Sequence, residues 1–334
     1  MEENKRIDVL DYLRGFALMG IVLVNVISLL SLEPLVDDTA DTVYWRFLYL
    51  FVEGRFYTIF TFLFGTGFYL FLSRAFAKGK NGYILFLRRI LVLFIFGLIH
   101  VQFHPGEALT IYAVCGLLLL PFYKVTKEIN LFVGFCLLII LSYFSIKILM
   151  VIPLMLLGIA AGQYHIFEKI SDKKLVGFIG VMFALGGAGI MYQNHYAPRE
   201  VEHTYVAFQR FLEAGIMIGP VVSAFYASVL IWLVRRRFFQ KLFAPLKSYG
   251  RLALTNYVSQ TAYILIAGSV FHLSGNIGYL QSLALCIVIY IIQLSFSVLW
   301  LRYFRFGPLE WVWRMITYLE ILPIRKVKIR RGQP

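Results

Sequence analysis

Charge is scarce in this chain of 334 residues, with 15% Asp, Glu, Lys or Arg against roughly a quarter in soluble domains. Hydrophobic residues make up 60%, and mean hydropathy is +0.76. A chain this apolar cannot keep a water-soluble surface, which excludes a large soluble catalytic domain. Cysteine is scarce as well. Cys115, Cys136 and Cys286 lie in apolar runs, without CxxC spacing and without an extracellular pair, which argues against a structural disulfide and a thiolate metal site. No internal repeat is evident, so residues 1–334 read as one transmembrane domain. The first apolar run lacks a small-residue cleavage site and is interrupted by Asn25. It is expected to stay in place as a span.

What is present is a series of apolar runs, each to be compared with the ~20 residues that a helical span needs. They fall near 13–32, 56–73, 89–103, 109–123, 130–146, 148–165, 175–193, 211–233, 252–271 and 280–300. The fold class is therefore all-α, a polytopic membrane bundle of about ten helices. The fourth run is short, and residues 44–55 either extend the second span or lie at the interface. Little more than Lys147 separates runs five and six, which predicts a tight hairpin.

The basic residues give a direction. With alternate crossing, all 32 Lys and Arg fall on the side of the termini except Arg46, Arg55, Lys147, Arg199, Arg210 and the intramembrane Arg14. The positive-inside rule then places both termini in the cytoplasm. The net charge of +14 is mostly an insertion signal and an attraction to anionic lipid headgroups, and it gives no support for nucleic-acid binding. Acidic residues gather on the opposite side: Glu33, Asp37, Asp38 and Asp41 after the first span, and Glu200, Glu202 and Glu213 around the longest outer loop.

Ionisable and polar groups inside a membrane are expensive and point to function by default. In the first span Asp11 and Arg14 are i, i+3 neighbours, either a snorkelling pair or part of a site. Asn25 lies 11 residues beyond Arg14, about 16 Å along a helix. His100 and His104 are i, i+4 and share a face if their helix continues to Pro105, with Glu107 in the turn that follows. Two imidazoles and a carboxylate suit general acid/base work. They also suit a metal or haem, or plain hydrogen bonds to loop carbonyls; no metal site is assigned. Gly65-Thr66-Gly67 permits close helix approach. Thr255, Asn256 and Gln260 form a polar stripe beyond Arg251, lining a helix interface or a substrate cavity. Glu310, Trp311, Trp313 and Arg314 predict an interfacial helix after the last span, within a tail over 302–334.

Four segments, LDYLRGFALMGIVLVN, HVQFHPGEALTIYAVCGLLLLP, GRLALTNYVSQ and GPLEWVWR, resemble the YeiB family of bacterial membrane proteins. The last two mark the family's C-terminal domain of unknown function, roughly residues 170–330 here. At its first span this family is similar to a wider group of transmembrane acyltransferases. That group includes bacterial polysaccharide O-acyltransferases and the lysosomal heparan-alpha-glucosaminide N-acetyltransferase. The resemblance implies a multi-pass protein of the bacterial inner membrane, with cytoplasmic acyl-CoA as donor and an envelope or extracellular acceptor. The bacterial O-acyltransferases carry a functional His where this sequence has Asn25, whereas the lysosomal enzyme resembles this chain in having Asn there. Since Asn is no general base, catalysis is assigned to His100, His104 and Glu107. Substrate binding is assigned to Asp11, Arg14, Asn25, Arg251 and Asn256. Membrane lipids are the expected partners, with a small-molecule or glycan acceptor; a homo-oligomer is compatible with the pattern. The alternatives are a transporter or exporter of a small or lipophilic metabolite, and a non-catalytic membrane protein. No inverted repeat or pair of broken spans favours transport.

Overall fold

A computed structural model describes residues 7–33, 39–198 and 204–326. The basic positions Lys5, Arg6, Arg199, Lys328, Arg330 and Arg331 and the acidic positions Asp37, Asp38, Glu200 and Glu202 lie outside the described residues. Among those described there is no β-strand, only an isolated bridge between Phe304 and Arg325. The helices are α1 (Asp8–Leu29), α2 (Ala40–Phe51), α3 (Arg55–Ala77), α4 (Gly82–His100) and α5 (Leu109–Leu118). They continue with α6 (Lys127–Tyr143), α7 (Val151–Gln163), α8 (Ile166–Lys169), α9 (Asp172–His195) and α10 (Thr204–Leu233). The chain finishes with α11 (Arg237–Leu242), α12 (Ala244–Arg251), α13 (Ala253–Val270), α14 (Tyr279–Tyr303) and α15 (Pro308–Tyr318).

Among the described residues, six helical segments are long and apolar enough to cross a membrane: α1, the pair α2–α3, α4, α9, α10 and α14. Helix α5 and the segment Lys147–Gln163 are apolar but shorter. Residues 44–55 do extend the second apolar run, since α2 passes into α3 through Gly54, whose φ of 76° only glycine adopts readily. The predicted hairpin at Lys147 is a short turn followed by a single 3-10 turn, Lys147–Met150.

Helix α1 sits centrally, packing against α3, α10, α12, α13 and α14 through the buried Leu13, Ala17, Leu18, Val22 and Val26. The end of the bundle where α1 begins is termed basal here, and the end where it finishes distal. In lipid there is little hydrophobic drive between helices, so close backbone approach and buried polar bonds hold them together. Both devices are present. Gly65 on α3 faces the Met155 backbone, and Gly158 on α7 faces Phe62 and Thr66, with no room for a methyl group at either. The Thr66 hydroxyl donates to the Gly158 carbonyl at 3.1 Å. The polar stripe on α13 is the second device. Asn256 Nδ2 donates to the Tyr249 carbonyl (2.9 Å) and to Ser297 Oγ (3.0 Å). Gln293 Nε2 donates to the Asn256 carbonyl at 2.9 Å, and the Tyr249 hydroxyl donates to Gln293 Oε1 at 2.9 Å. The stripe therefore lies in a helix interface.

Helix N-termini expose backbone N–H groups that the bilayer cannot solvate. Among the described residues, two are met by carboxylates from other segments and a third by one in the turn just before the helix. Asp41 accepts from Tyr279 N (3.1 Å) and Leu280 N (3.0 Å) at the start of α14. Glu310 accepts from Leu254 N (2.7 Å), Thr255 N (3.1 Å) and Thr255 Oγ1 (2.6 Å), which fastens α15 to the start of α13. The third is Glu107 at α5. Replacing Glu310 with Ala strips three donors of their acceptor, at a cost of about 1–3 kcal/mol. The variant should unfold in detergent at a lower temperature by tryptophan fluorescence, and an unchanged midpoint would deny that docking role.

Candidate active site at the distal end

The helical path of α4 runs on for another turn past His100. His104 N donates to the His100 carbonyl at 3.0 Å, and Glu107 N to the His104 carbonyl at 3.0 Å. Pro105 ends that path, and the chain turns back into α5. The two imidazoles are brought together as their spacing predicts, with ring centroids 5.8 Å apart. His100, His104 and Glu107 are all buried.

Glu107 accepts from Leu109 N at 2.6 Å and Thr110 N at 2.8 Å, capping α5. Its Oε2 faces His100 Nδ1 across 3.8 Å, too long for a hydrogen bond but close enough for charge to matter. On the other side of that ring, His100 Nε2 is 2.9 Å from Thr261 Oγ1. Burial alone would push the Glu107 carboxyl up. His100 and the Thr110 and Leu109 donors outweigh it and hold the group below its ordinary 4.5, so it is ionised at neutral pH. His104 lies beyond the helical span, and both its ring nitrogens are without a hydrogen-bond partner among the described residues. Burial, then the neighbouring His100, pushes it down to about 4 from 6.5, against an opposing pull from Glu107.

That depression makes stability pH-dependent. Between about 4 and 6.5 the unfolded chain binds the His104 proton and the folded chain does not, so stability rises with pH across the window. The melting midpoint should fall as pH drops from 6.5 towards 4, and less so in His104→Gln. Parallel profiles for the two proteins would remove His104 as the cause.

A cavity of about 280 Å³ opens beside this cluster. Gly20, Val24 and Asn25 of α1 line it, with Phe56, Tyr57 and Phe60 of α3, and then Glu107, Tyr112 and Tyr257. Glu53 and Lys147, which form an ion pair, also line it. Most of the lining is apolar or aromatic, the usual make-up of a small-molecule site, and Glu107 and Asn25 are among its few polar groups. His100 and His104 are not in the lining; His100 stands behind Glu107 and packs its ring on Tyr257, centroids 5.1 Å apart. The Tyr257 hydroxyl accepts from Ala108 N at 3.3 Å, which leaves its own proton free to donate.

The other candidates lie elsewhere. Asp11 and Arg14 pair at 3.1 Å near the basal end of α1. Arg251 donates to the Arg305 carbonyl at 3.4 Å, also basally, and Asn256 belongs to the α13–α14 interface. Sequence reasoning missed Tyr112, Tyr257 and the Glu53–Lys147 pair. A tyrosine within an apolar run reads as core, and nothing local marks two residues so far apart in the chain as partners.

Residues 161–320 match the family described as protein of unknown function (DUF418). Over 333 residues the chain is 56% identical to an uncharacterized 39.9 kDa protein in the amylase 3' region of Bacillus acidopullulyticus, with 96% of each covered. It is 28% identical to the uncharacterized protein YxaH of Bacillus subtilis (97% of each). To the uncharacterized protein YeiB of Escherichia coli it is 26% identical, over 92% of this chain and 95% of that one. No solved structure matches. Similarity that runs almost end to end, with the DUF418 match in the C-terminal half, establishes that the chain belongs to the YeiB-like family.

Proposed function

We infer that the protein is a transmembrane acyltransferase of the bacterial inner membrane, with ten spans and both termini cytoplasmic. On this reading it carries an acyl group from cytoplasmic acyl-CoA to an envelope acceptor held in the distal cavity. One observation carries the reading: the Glu107 carboxylate lines the cavity on one side and faces an imidazole nitrogen, His100 Nδ1, at 3.8 Å on the other. An ionised carboxylate between a ligand space and a histidine is a route for a proton. In the tautomer whose Nε2–H donates to Thr261, the Nδ1 lone pair is the one turned to Glu107.

The chemistry then balances. The acceptor hydroxyl or amine gives its proton to Glu107, which passes it to His100. The freed oxygen or nitrogen bonds to the thioester carbonyl carbon, the C–S bond breaks, and the coenzyme leaves as a thiolate that finally takes up the proton. Tyr257 donates to the carbonyl oxygen as it gains charge. Asn25 serves as a polar contact for the acceptor, not as a base. His104 is a positioning residue, set against His100 with no lining surface of its own.

The test is a double variant, His100→Ala with His104→Ala, assayed for transfer of labelled acetyl groups from acetyl-CoA to cell-envelope material. It should lose transfer while remaining monodisperse in detergent. Undiminished transfer would reject the assignment. An absence of transfer in the wild type, with solute flux intact in both proteins, would favour a transporter.

A further inference from the structure

At the opposite, basal end, four helices bring arginines and aromatic rings to one place. Arg89 of α4 lies flat on Trp313 of α15, its guanidinium carbon 3.6 Å from the ring centroid. Phe71 of α3 is on it as well, at 5.0 Å. Trp313 is held in that position by its own Nε1–H, which donates to the Arg89 backbone carbonyl at 2.7 Å. Arg14 of α1 runs beside Gly67, one helical turn from Phe71 on the same face of α3. Among the described residues, the charged side chains that act on Arg89 are Arg314 and Arg14, with no carboxylate among them. Arg14 keeps Asp11 as its partner, and Arg314 lies over the Phe306 ring, 4.6 Å from its centroid.

Stacking occupies the faces of the Arg89 guanidinium and leaves its in-plane N–H donors unused, since it donates no hydrogen bond among the described residues. Like charges gathered in a setting of low dielectric repel one another. The docking of α15 rests on Glu310 and Trp313, neither of which needs the Arg314 charge. Planar forks converging without a carboxylate on Arg89 match the oxygens of a phosphate.

We propose that Arg89, Arg314 and Arg14, with Trp313 as a stacking plate, form a binding site for a phosphate ester at the basal end of the bundle. Anionic phospholipid headgroups and the phosphates of coenzyme A present the same oxygen chemistry to it. The proposal is independent of acyl transfer in the distal cavity. A phosphate group would bridge the arginine edges and relieve their repulsion.

The experiment uses the full-length protein with two probes, coenzyme A by titration calorimetry and phosphatidylglycerol by native mass spectrometry after mixed-lipid reconstitution. Arg89→Gln and Arg314→Gln are compared with Arg302→Gln, which removes an exposed charge at the end of α14. The Arg89 carbonyl that anchors Trp313 survives the substitution. The site predicts that Arg89→Gln and Arg314→Gln each weaken at least one probe about tenfold, while Arg302→Gln stays within about twofold. Loss of coenzyme A binding identifies a free phosphate ligand; loss of phosphatidylglycerol alone identifies a lipid headgroup. Should a destabilised variant leave folding in question, Arg89→Lys retains the charge and loses the planar fork, and it should still weaken the bound probe. Binding of neither probe, or equal weakening by all the substitutions, overturns the proposal.

Discussion

Glu107→Gln should lower acyl transfer by about 10²- to 10⁴-fold, the range that a positioned acid/base group contributes. The substitution is nearly isosteric. It removes the charge that faces His100 and the lone pair that, in the proposed reaction, takes the acceptor's proton. It also disturbs the cap on α5, because two backbone donors now meet the carboxylate's two oxygens and the amide has one. The lost hydrogen bond costs about 1–2 kcal/mol, so a modest fall in melting temperature is expected alongside the loss of turnover. Rate and melting point separate the two effects. A variant that melts lower yet turns over at the wild-type rate would leave Glu107 only its capping role. A rate loss without a comparable loss of folded protein would support proton transfer.

Gly158→Leu should prevent assembly of the bundle. A Cβ at this position would meet the Phe62 carbonyl oxygen and the Thr66 nitrogen, backbone atoms on α3 that cannot move aside as a flexible side chain can. Overpacking of cores usually costs about 1–3 kcal/mol. A whole isobutyl group wedged between two helix backbones is expected to exceed that, reaching the 4–5 kcal/mol or so that marks severe defects. Gly177 and Gly180 of α9 supply the control, because a Cβ there meets nothing within 4 Å. Leu at either of those positions should leave the melting point nearly unchanged. Size-exclusion profiles would show the contrast directly. Normal elution of Gly158→Leu would mean that the α3–α7 seam is looser than the backbone contacts imply.

Much of the architecture was legible because its causes are local. Apolar runs between charged punctuation gave the helices, and Lys147 between two such runs gave the turn before α7. The pairing of His100 with His104 followed from i, i+4 spacing, and Asp11 with Arg14 from i, i+3. The cap made by Glu107 was also within reach, as an acidic residue two and three positions before exposed helix N–H groups. What could not be read are contacts between residues far apart in the chain. Thr261 meets His100 across 161 positions, and Trp313 meets the Arg89 carbonyl across 224. No periodicity encodes either. Glu310 illustrates the same limit, for its i, i+4 spacing to Arg314 suggests a partner on its own helix while the carboxylate binds the start of α13. For the α13 stripe too, the contacts come from residues outside it: Tyr249 and Ser297 accept from Asn256 and Gln293 donates to its carbonyl, which puts that residue at an interface.

The charge distribution supports a division of labour between the two ends. A cavity lined by the ionised Glu107 carboxylate, with the buried His100 imidazole behind it, suits proton removal from an acceptor. Stacked arginines at the other end suit an anionic group. Asn25 and Arg14 stand on the same helix, about 16 Å apart by helical rise, so α1 links the two.

The most direct measurement of the central claim is acetyl transfer across proteoliposomes with the protein in a single orientation. Acetyl-CoA is supplied at the basal face and envelope acceptor material at the distal face. Labelled acetyl groups should accumulate on the distal acceptor with release of the free coenzyme thiol at the basal face, and Glu107→Gln should abolish both. Wild-type protein that binds coenzyme A but releases no thiol and labels no acceptor would contradict the account.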